Sequence, residues 1–384
     1  MQLLFESLFN GVAIGSVLLM AALGLAIVFG LMGVINLAHG ELIMLGAYTT
    51  YVVQLIFKLP ALQPFYGLYV LIAIPVAFLT SGVVGILLER SVIRRLYGSP
   101  LETLLATWGV SLILQQFVRS VPLAQAAGVV LALVLGFSLP LVLPQTLLQG
   151  SHRRLRQVVS WVVSALVGVL FASGLASQIS RIARATSRNV DVTAPKWMRG
   201  GIEWMDLTFP VPRLVIIVIT VVAVLGVTWF LNRSVWGMRI RAVTQNRAMS
   251  DCLGISTNTV DVLTFGIGSG LAGVAGVAVS LLGSVGPNVG TSYIVGCFMV
   301  VVLGGVGNLL GTMIASFAIG LLTDLIGAGR LLTMWPDMPA PLERAVQFFA
   351  TTSMAQVMIF ALIVVFLQFR PSGLFPQRGR MVEA

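Results

Sequence analysis

The sequence predicts an all-α polytopic membrane protein, with about eight core transmembrane helices, two discontinuous segments and an extra two-helix insertion, about ten spans in all. Three observations predict this. Hydrophobic residues make up 58% of the 384 positions and charged residues only 9%, and the mean hydropathy is +1.00. That is more apolar surface than one aqueous core absorbs. Long uncharged windows recur, as at Gly11 to Asn36, Tyr66 to Leu88, Leu214 to Leu231 and Met354 to Phe369, each near the roughly 20 residues a helix needs to cross a bilayer. No alternation of period two stands out as a strand.

The elements follow in order. Core spans are read near 8–30, 40–57, 66–88, 101–119, 212–231, 261–284, 292–327 (a broken pair) and 353–370, with additional helices near 124–148 and 157–180. The first 57 residues contain no Lys or Arg, so the basic start of a secretory signal is missing and Val12 to Phe29 is expected to stay as a span. The net charge of +10 is not one basic face for nucleic acid, because the Lys and Arg residues sit in short loops between apolar runs. The densest clusters are Arg90/Arg94/Arg95, Arg153/Arg154/Arg156, Arg233/Arg239/Arg241/Arg247 and the tail Arg370/Arg378/Arg380, and the excess of basic residues on cytoplasmic loops places them inside. The C-terminus is then cytoplasmic. Arg181, Arg184 and Arg188 depart from this pattern and fall outside. The loop over 188–213 mixes Asp191, Lys196, Arg199, Glu203 and Asp206 with Trp197 and Trp204, a composition suited to an outer interface.

Two apolar regions are interrupted, at Gly33-Val-Ile-Asn36-Leu-Ala-His39-Gly40-Glu41 and at Gly304-Gly-Val-Gly307-Asn308. Irregular backbone at membrane depth survives only where protein or a wet cavity satisfies its amides, and paired breaks point to a solute site. An ionisable side chain in an apolar stretch is expensive unless paired or hydrated, which singles out His39 and Glu41. Two readings of Asn36, His39 and Glu41 stand: they line a translocation path, or they form a hydrogen-bonded knot that holds the break in shape.

Residues 239–255 read as a short helix on the cytoplasmic surface, with Thr244 capping its start and Gly254 ending it in the left-handed conformation. A solvated loop held to anionic lipid by its Arg residues is the plainer alternative. Gly268-Ser-Gly270-Leu-Ala-Gly273 matches a dinucleotide fingerprint, but no strand precedes it, so Gly266, Gly270 and Gly273 are expected to pack helices. The sequence offers no phosphate-binding loop ending in Lys-Ser or Lys-Thr and no Cys/His cluster with metal spacing, so no cofactor and no metal are expected, and any energy source is a partner. Cys252 and Cys297 give no disulfide framework. An enzyme would need a convergent acid, base or metal set that the chain does not display.

These segments carry a resemblance. Gly33-Val-Ile-Asn-Leu-Ala-His-Gly-Glu41 resembles the early motif of permeases in the branched-chain amino acid ABC transporter family. Leu105-Ala-Thr-Trp-Gly-Val-Ser-Leu112, Val243-Thr-Gln-Asn-Arg-Ala-Met249, Gly283-Ser-Val-Gly-Pro-Asn288, Phe298-Met-Val-Val-Val-Leu-Gly-Gly-Val-Gly307 and Arg370-Pro-Ser-Gly-Leu-Phe375 are similar to its urea-transporter branch. The resemblance covers most of residues 9–120 and 188–376. It implies a single permease domain over residues 1–384 in the bacterial inner membrane, working in the bilayer with a second related permease, two cytoplasmic ATPase subunits and a periplasmic substrate-binding protein.

Residues 242–255 would be the coupling helix, within a coupling loop over 239–256, where Arg241, Gln245, Asn246, Arg247, Asp251, Gly254 and Ile255 would meet the ATPases. The implied cargo is urea, carried by alternating access. Asn36, His39, Gln115, Gln116 and Asn308 supply the amide and imidazole groups that a small neutral solute needs, with Glu41 beside them. The same-class alternative is a permease for branched-chain amino acids or short amides, and the other is a passive channel. Residues 121–187 depart from the family pattern as an inserted helical hairpin, either lipid-facing or in contact with a further subunit. An even number of added spans leaves the downstream orientation unchanged.

Overall fold

The structure, a computed structural model, describes residues 2–60, 62–120, 125, 128–133, 135–136, 153–178, 189–204, 207–330, 347–348 and 350–375. The apolar runs become helices close to their expected limits: α1 (Gln2–Ile27) continued by a π-helical turn (Val28–Met32), α2 (His39–Phe57), α3 (Tyr69–Ser91), α4 (Pro100–Ser120), α5 (Arg153–Gln178), α6 (Val211–Arg233), α7 (Val235–Gln245), α8 (Arg247–Cys252), α9 (Thr257–Leu282), α10 (Val289–Gly304), α11 (Leu309–Gly327) and α12 (Thr352–Phe369). Among the described residues seven helical stretches have the length and hydropathy to cross a membrane, and three shorter apolar helices accompany them. This is a polytopic membrane protein.

Of the first added helix, expected near 124–148, residues 125, 128–133 and 135–136 are helical, and the rest lies outside the described residues. So do Arg181, Arg184, Arg188, Arg378 and Arg380.

One short piece departs from an all-helical chain. In the 188–213 segment, β1 (Gly201–Trp204) and β2 (Leu207–Pro210) pair antiparallel, with Ile202 opposite Phe209 and Glu203 opposite Thr208. Four-residue strands are too short to raise a period-two pattern above the background, so periodicity missed them. The Phe209 ring stands edge-on to Phe9 of α1 at 4.7 Å between centroids, which ties the hairpin to α1.

The chain forms two compact units, each built from several stretches. The first holds residues 1–35, 194–264 and 292–384. In it α1 packs against α11 and α6, and α12 against α11. Small residues allow the closest approach, since a side chain at Gly11 or Gly320 would collide with the facing helix. Polar groups tie one end of this unit: Arg330 lies 3.0 Å from both Glu6 and Asp324, and Arg213 donates to Asn10.

The second unit holds residues 36–193 and 265–291. Here α2 packs on α3, and the glycine-rich face of α9 lies against both. A Cβ at Gly273 would strike the Ala77 carbonyl and the Ser81 side chain, so the GxGxxG stretch is a helix-packing surface, as its setting predicted. At one end of α2, Gln54 donates to Tyr66 Oη at 2.9 Å and to Thr193, and Tyr69 Oη also reaches the Thr193 carbonyl at 2.9 Å. The segment after the insertion is thereby fastened to the membrane helices.

Candidate translocation site and coupling surface

The first break starts where α1 widens into its π turn. Gly33 closes that turn with φ +70°, its N–H reaching the Phe29 carbonyl at 3.0 Å, a conformation that side-chain-bearing residues rarely adopt. In the second unit Asn36 then makes a local turn, its Oδ1 accepting from Ala38 N–H at 3.0 Å. That turn launches α2 with His39 and Glu41 in its first turn, where a negative charge is favoured by the helix dipole. Asn36, His39 and Glu41 are all buried, each at most 1% exposed.

Helix α4 supplies the partners. Thr103, Thr107, Ser111 and Gln115 recur every fourth residue, so they form one stripe. Thr107 Oγ1 accepts from Leu37 N–H at 3.2 Å. Ser111 Oγ donates to Glu41 Oε1 at 3.1 Å. Gln115 donates to the Pro287 carbonyl at 3.3 Å and to Asn288 Oδ1 at 3.2 Å, and Arg119 reaches the same Asn288 oxygen at 2.5 Å. A polar ladder thus runs along α4 from the 283–288 loop to the break. Gly290, at the start of α10, lies against Gly40 and Glu41, where an added Cβ would stand 2.8 Å from Glu41 Oε2. Neither Glu41 Oε2 nor Asn36 Nδ2 has a hydrogen-bond partner among the described residues.

Of the residues singled out in the sequence, Asn36, Glu41 and Gln115 therefore lie along this ladder, and His39 is buried beside them at the start of α2, its N–H 3.4 Å from the Asn36 carbonyl. Gln116 does not: it lies on the exposed face of α4 with Leu112 and Ile113. Asn308 sits in the first unit and caps α11, its Oδ1 accepting from Gly311 N–H at 3.1 Å and its Nδ2 reaching the Phe375 carbonyl at 3.4 Å. Thr107 and Ser111 were passed over, although their four-residue spacing within an apolar run was the available signal.

The second candidate surface is α7 with α8. Ser234 caps α7 by accepting from Gly237 N–H at 2.9 Å. Asn246, in extended conformation between the helices, caps α8 by accepting from Met249 N–H at 2.9 Å. The cap is therefore Asn246 and not Thr244. Thr244 is still helical, and its hydroxyl turns back to the Ile240 carbonyl at 2.8 Å and to the Leu31 carbonyl at 3.2 Å.

Gly254, with φ +79°, ends α8: its N–H reaches Asp251 O and that of Ile255 reaches Ser250 O, each at 3.0 Å, the paired bonds of a left-handed helix stop. Arg247 pins the start of α8 to the buried Asp261 of α9 at 2.5 Å, Arg241 donates to Asn232 at 2.9 Å, and Asp251 accepts from Thr257 at 3.3 Å. Ile240, Val243 and Val260 form the core beneath, with Ile255 and Leu31 against it. Gln245, Asn246, Arg247, Asp251 and Gly254 face outward, as do the large apolar Met238, Met249 and Leu253. The result is a fixed platform with charged and apolar groups on its outer side.

The profile of the family described as "Branched-chain amino acid transport system / permease component" matches residues 7–121 and 109–367. The chain belongs to this family. The two matched pieces overlap at residues 109–121, and the second runs on through residues 121–187. BraD of Pseudomonas aeruginosa, a high-affinity branched-chain amino acid transport system permease protein, is 26% identical over 96% of this permease and 94% of its own length. LivH of Escherichia coli K12, described in the same terms, is 25% identical over 96% and 94%. The autoinducer 2 import system permease protein LsrC of Salmonella paratyphi B is 24% identical over 54% of this chain and 61% of its own. No solved structure matches.

Proposed function

We propose that this permease is the membrane-spanning subunit of an ATP-driven importer, that branched-chain amino acids are its cargo, and that it works by alternating access. The observation that carries the reading is the α7–α8 platform: two short capped helices, pinned to α9 through Arg247 and Asp261, with Met238, Met249 and Leu253 exposed among charged residues. A rigid element of this kind is what a separate ATPase can push. Arg241, Gln245, Asn246, Arg247, Asp251, Gly254 and Ile255 form or support the surface that two ATPase subunits would meet on the cytoplasmic side. A second, related permease and a periplasmic binding protein complete the complex, and the basic loops orient it in the inner membrane with its C-terminus inside. The descriptions of BraD and LivH support the cargo.

The solute path follows the α4 ladder, past Gln115 to Asn36, His39 and Glu41. Thr107 and Ser111 are added to it from their contacts, whereas the placements of Gln116 and Asn308 favour a lipid- or protein-facing role for the first and a structural one for the second.

Urea is the second reading, favoured by the motifs at Leu105–Leu112, Gly283–Asn288 and Phe298–Gly307, which resemble the urea branch. Vesicles holding the assembled transporter, given ATP inside and labelled leucine or labelled urea outside with the binding protein, separate the two. Leucine uptake that urea does not compete away supports the amino acid reading, and the converse supports urea. Uptake that persists with inactivated ATPases rules out an importer and leaves a channel.

A further inference from the structure

The π turn at Val28–Met32 touches the platform and the second break, and the chain runs on from it into the first break. From the platform side, Thr244 Oγ1 reaches the Leu31 carbonyl at 3.2 Å, and the Leu31 side chain packs on the Ile240, Val243 and Val260 cluster. From the second break, Gly307 lies so close to Gly30 that a Cβ there would overlap the Gly307 backbone. Covalently, Leu31 is followed by the Gly33 turn and then by Asn36.

The Thr244 hydroxyl has one proton and two carbonyls within reach, Ile240 O at 2.8 Å and Leu31 O at 3.2 Å. Carbonyls at a helix end are open to outside donors, and the Thr244 proton is shared between its own helix and Leu31. If α7 moves away, the proton stays on Ile240 within its own helix, so the contact breaks without stranding a donor. A cavity of about 300 Å³ lies beside the contact, lined by Ala26, Ile27, Leu31, Arg241, Thr244 and Gly307 among others, so the π turn and α7 are not fully packed against each other there. Extra-wide helical turns of this sort often mark functional sites.

We infer that Thr244 is a positioning residue that latches the coupling platform to the π turn, and that this latch transmits platform movement through Gly33 to the polar break at Asn36, His39 and Glu41. The inference rests on the ATP-driven reading above. Thr244 touches neither solute nor nucleotide, and it acts by holding Leu31.

The test measures solute imported per ATP hydrolysed by the assembled, reconstituted transporter, for Thr244→Ser, Thr244→Cys, Thr244→Val and Thr244→Ala, each normalised to assembled complex. Thr244→Val keeps the shape and removes the donor. Its import per ATP is expected to fall roughly three- to tenfold, the range one net hydrogen bond corresponds to, while the ATPase subunits keep hydrolysing. Thr244→Ser restores the ratio, and Cys, a weaker donor, lies between Ser and Ala. Should Val fail to assemble, the Ser, Cys and Ala series carries the same comparison. A ratio unchanged across the series, or import and hydrolysis falling together, overturns the latch. A wild-type transporter without ATP-driven import fails the functional reading instead.

Discussion

The breaks at Gly33–Glu41 and Gly304–Asn308 carry the same sequence signal, glycine and polar residues interrupting an apolar run, but their polar groups are used differently. At the second break, Gly305 and Gly307 take φ of +98° and +85°, and Asn308 spends both ends of its amide, one capping α11 and one on Phe375. The turn is closed. At the first, Asn36 spends only Oδ1 and Glu41 only Oε1, and the remaining Nδ2 and Oε2 are buried without a partner among the described residues. Buried polar groups are normally satisfied, and an unsatisfied one in a native structure calls for a reason. A polar solute or water on the path is such a reason. The difference teaches that the interruption of a span marks a place where helices end, and that only the first break keeps spare hydrogen-bonding capacity, which is what the proposed solute path requires.

The largest expected effect tests that capacity directly. Glu41→Gln keeps the shape and an oxygen for Ser111 but removes the charge, giving up a charge-assisted interaction on the order of 1.5–3 kcal/mol. Uptake per molecule is expected to fall roughly 10- to 100-fold with membrane abundance unchanged, because losing the charge relieves burial cost. Uptake equal to wild type would reduce the first break to a structural knot. Ser111→Ala acts one step further out, removing the donor to Glu41 Oε1. A fall of roughly three- to tenfold is expected, with Ser111→Thr recovering most of it, and a loss confined to abundance would again favour the knot.

At the other break the expectation reverses. Asn308→Ala removes the α11 cap, which costs about 1 kcal/mol, and leaves Gly311 N–H without its side-chain acceptor. Thermal stability and membrane abundance are expected to drop while uptake per molecule holds, and Asn308→Asp or Asn308→Ser restores stability. A selective loss of uptake in Asn308→Ala, at normal abundance, would place Asn308 on the path and erase the contrast.

Most of the helical framework could be read from the sequence because span length and hydropathy report directly on the solvent a segment faces. The use of α9's glycines was legible for a related reason: without a preceding strand, GxGxxG among Leu, Ala and Val has only helix packing left to do. The site was legible in part. His39 and Glu41 stood out by their cost in an apolar run, but Ser111, which satisfies half of Glu41, is a hydroxyl that any membrane helix tolerates, and only the approach of α4 to α2 gives it meaning. Thr244 and Asn246 are both good capping residues, and the choice between them depended on where α7 stops. Gln115 and Gln116 are adjacent, so they point about 100° apart on a helix. One joins the ladder and the other faces outward, a distinction composition does not carry.

The smallest effect is expected from deleting residues 121–187. Their described parts look self-contained: Gly128 faces Gly168 and Gly136 faces Trp161, an antiparallel pairing in which small residues let the backbones meet. The outward side of α5 presents Val162, Leu166, Val169 and Leu170, each more than half exposed, a face that suits lipid. The chain beyond the insertion is fixed independently of it, with Val190 N and O each bonded to Val285 at 2.8 Å and Thr193 held by Gln54 and Tyr69. If residues 121–187 cross the membrane an even number of times, joining Ser120 to Arg188 keeps the downstream orientation and leaves those contacts in place. Uptake within about twofold of the full-length chain is expected, the scale of a surface change away from packed features. Background-level uptake in a deletion that still reaches the membrane would instead make the hairpin a docking surface for another subunit, and the polar ladder along α4 would then have to be considered together with whatever binds there.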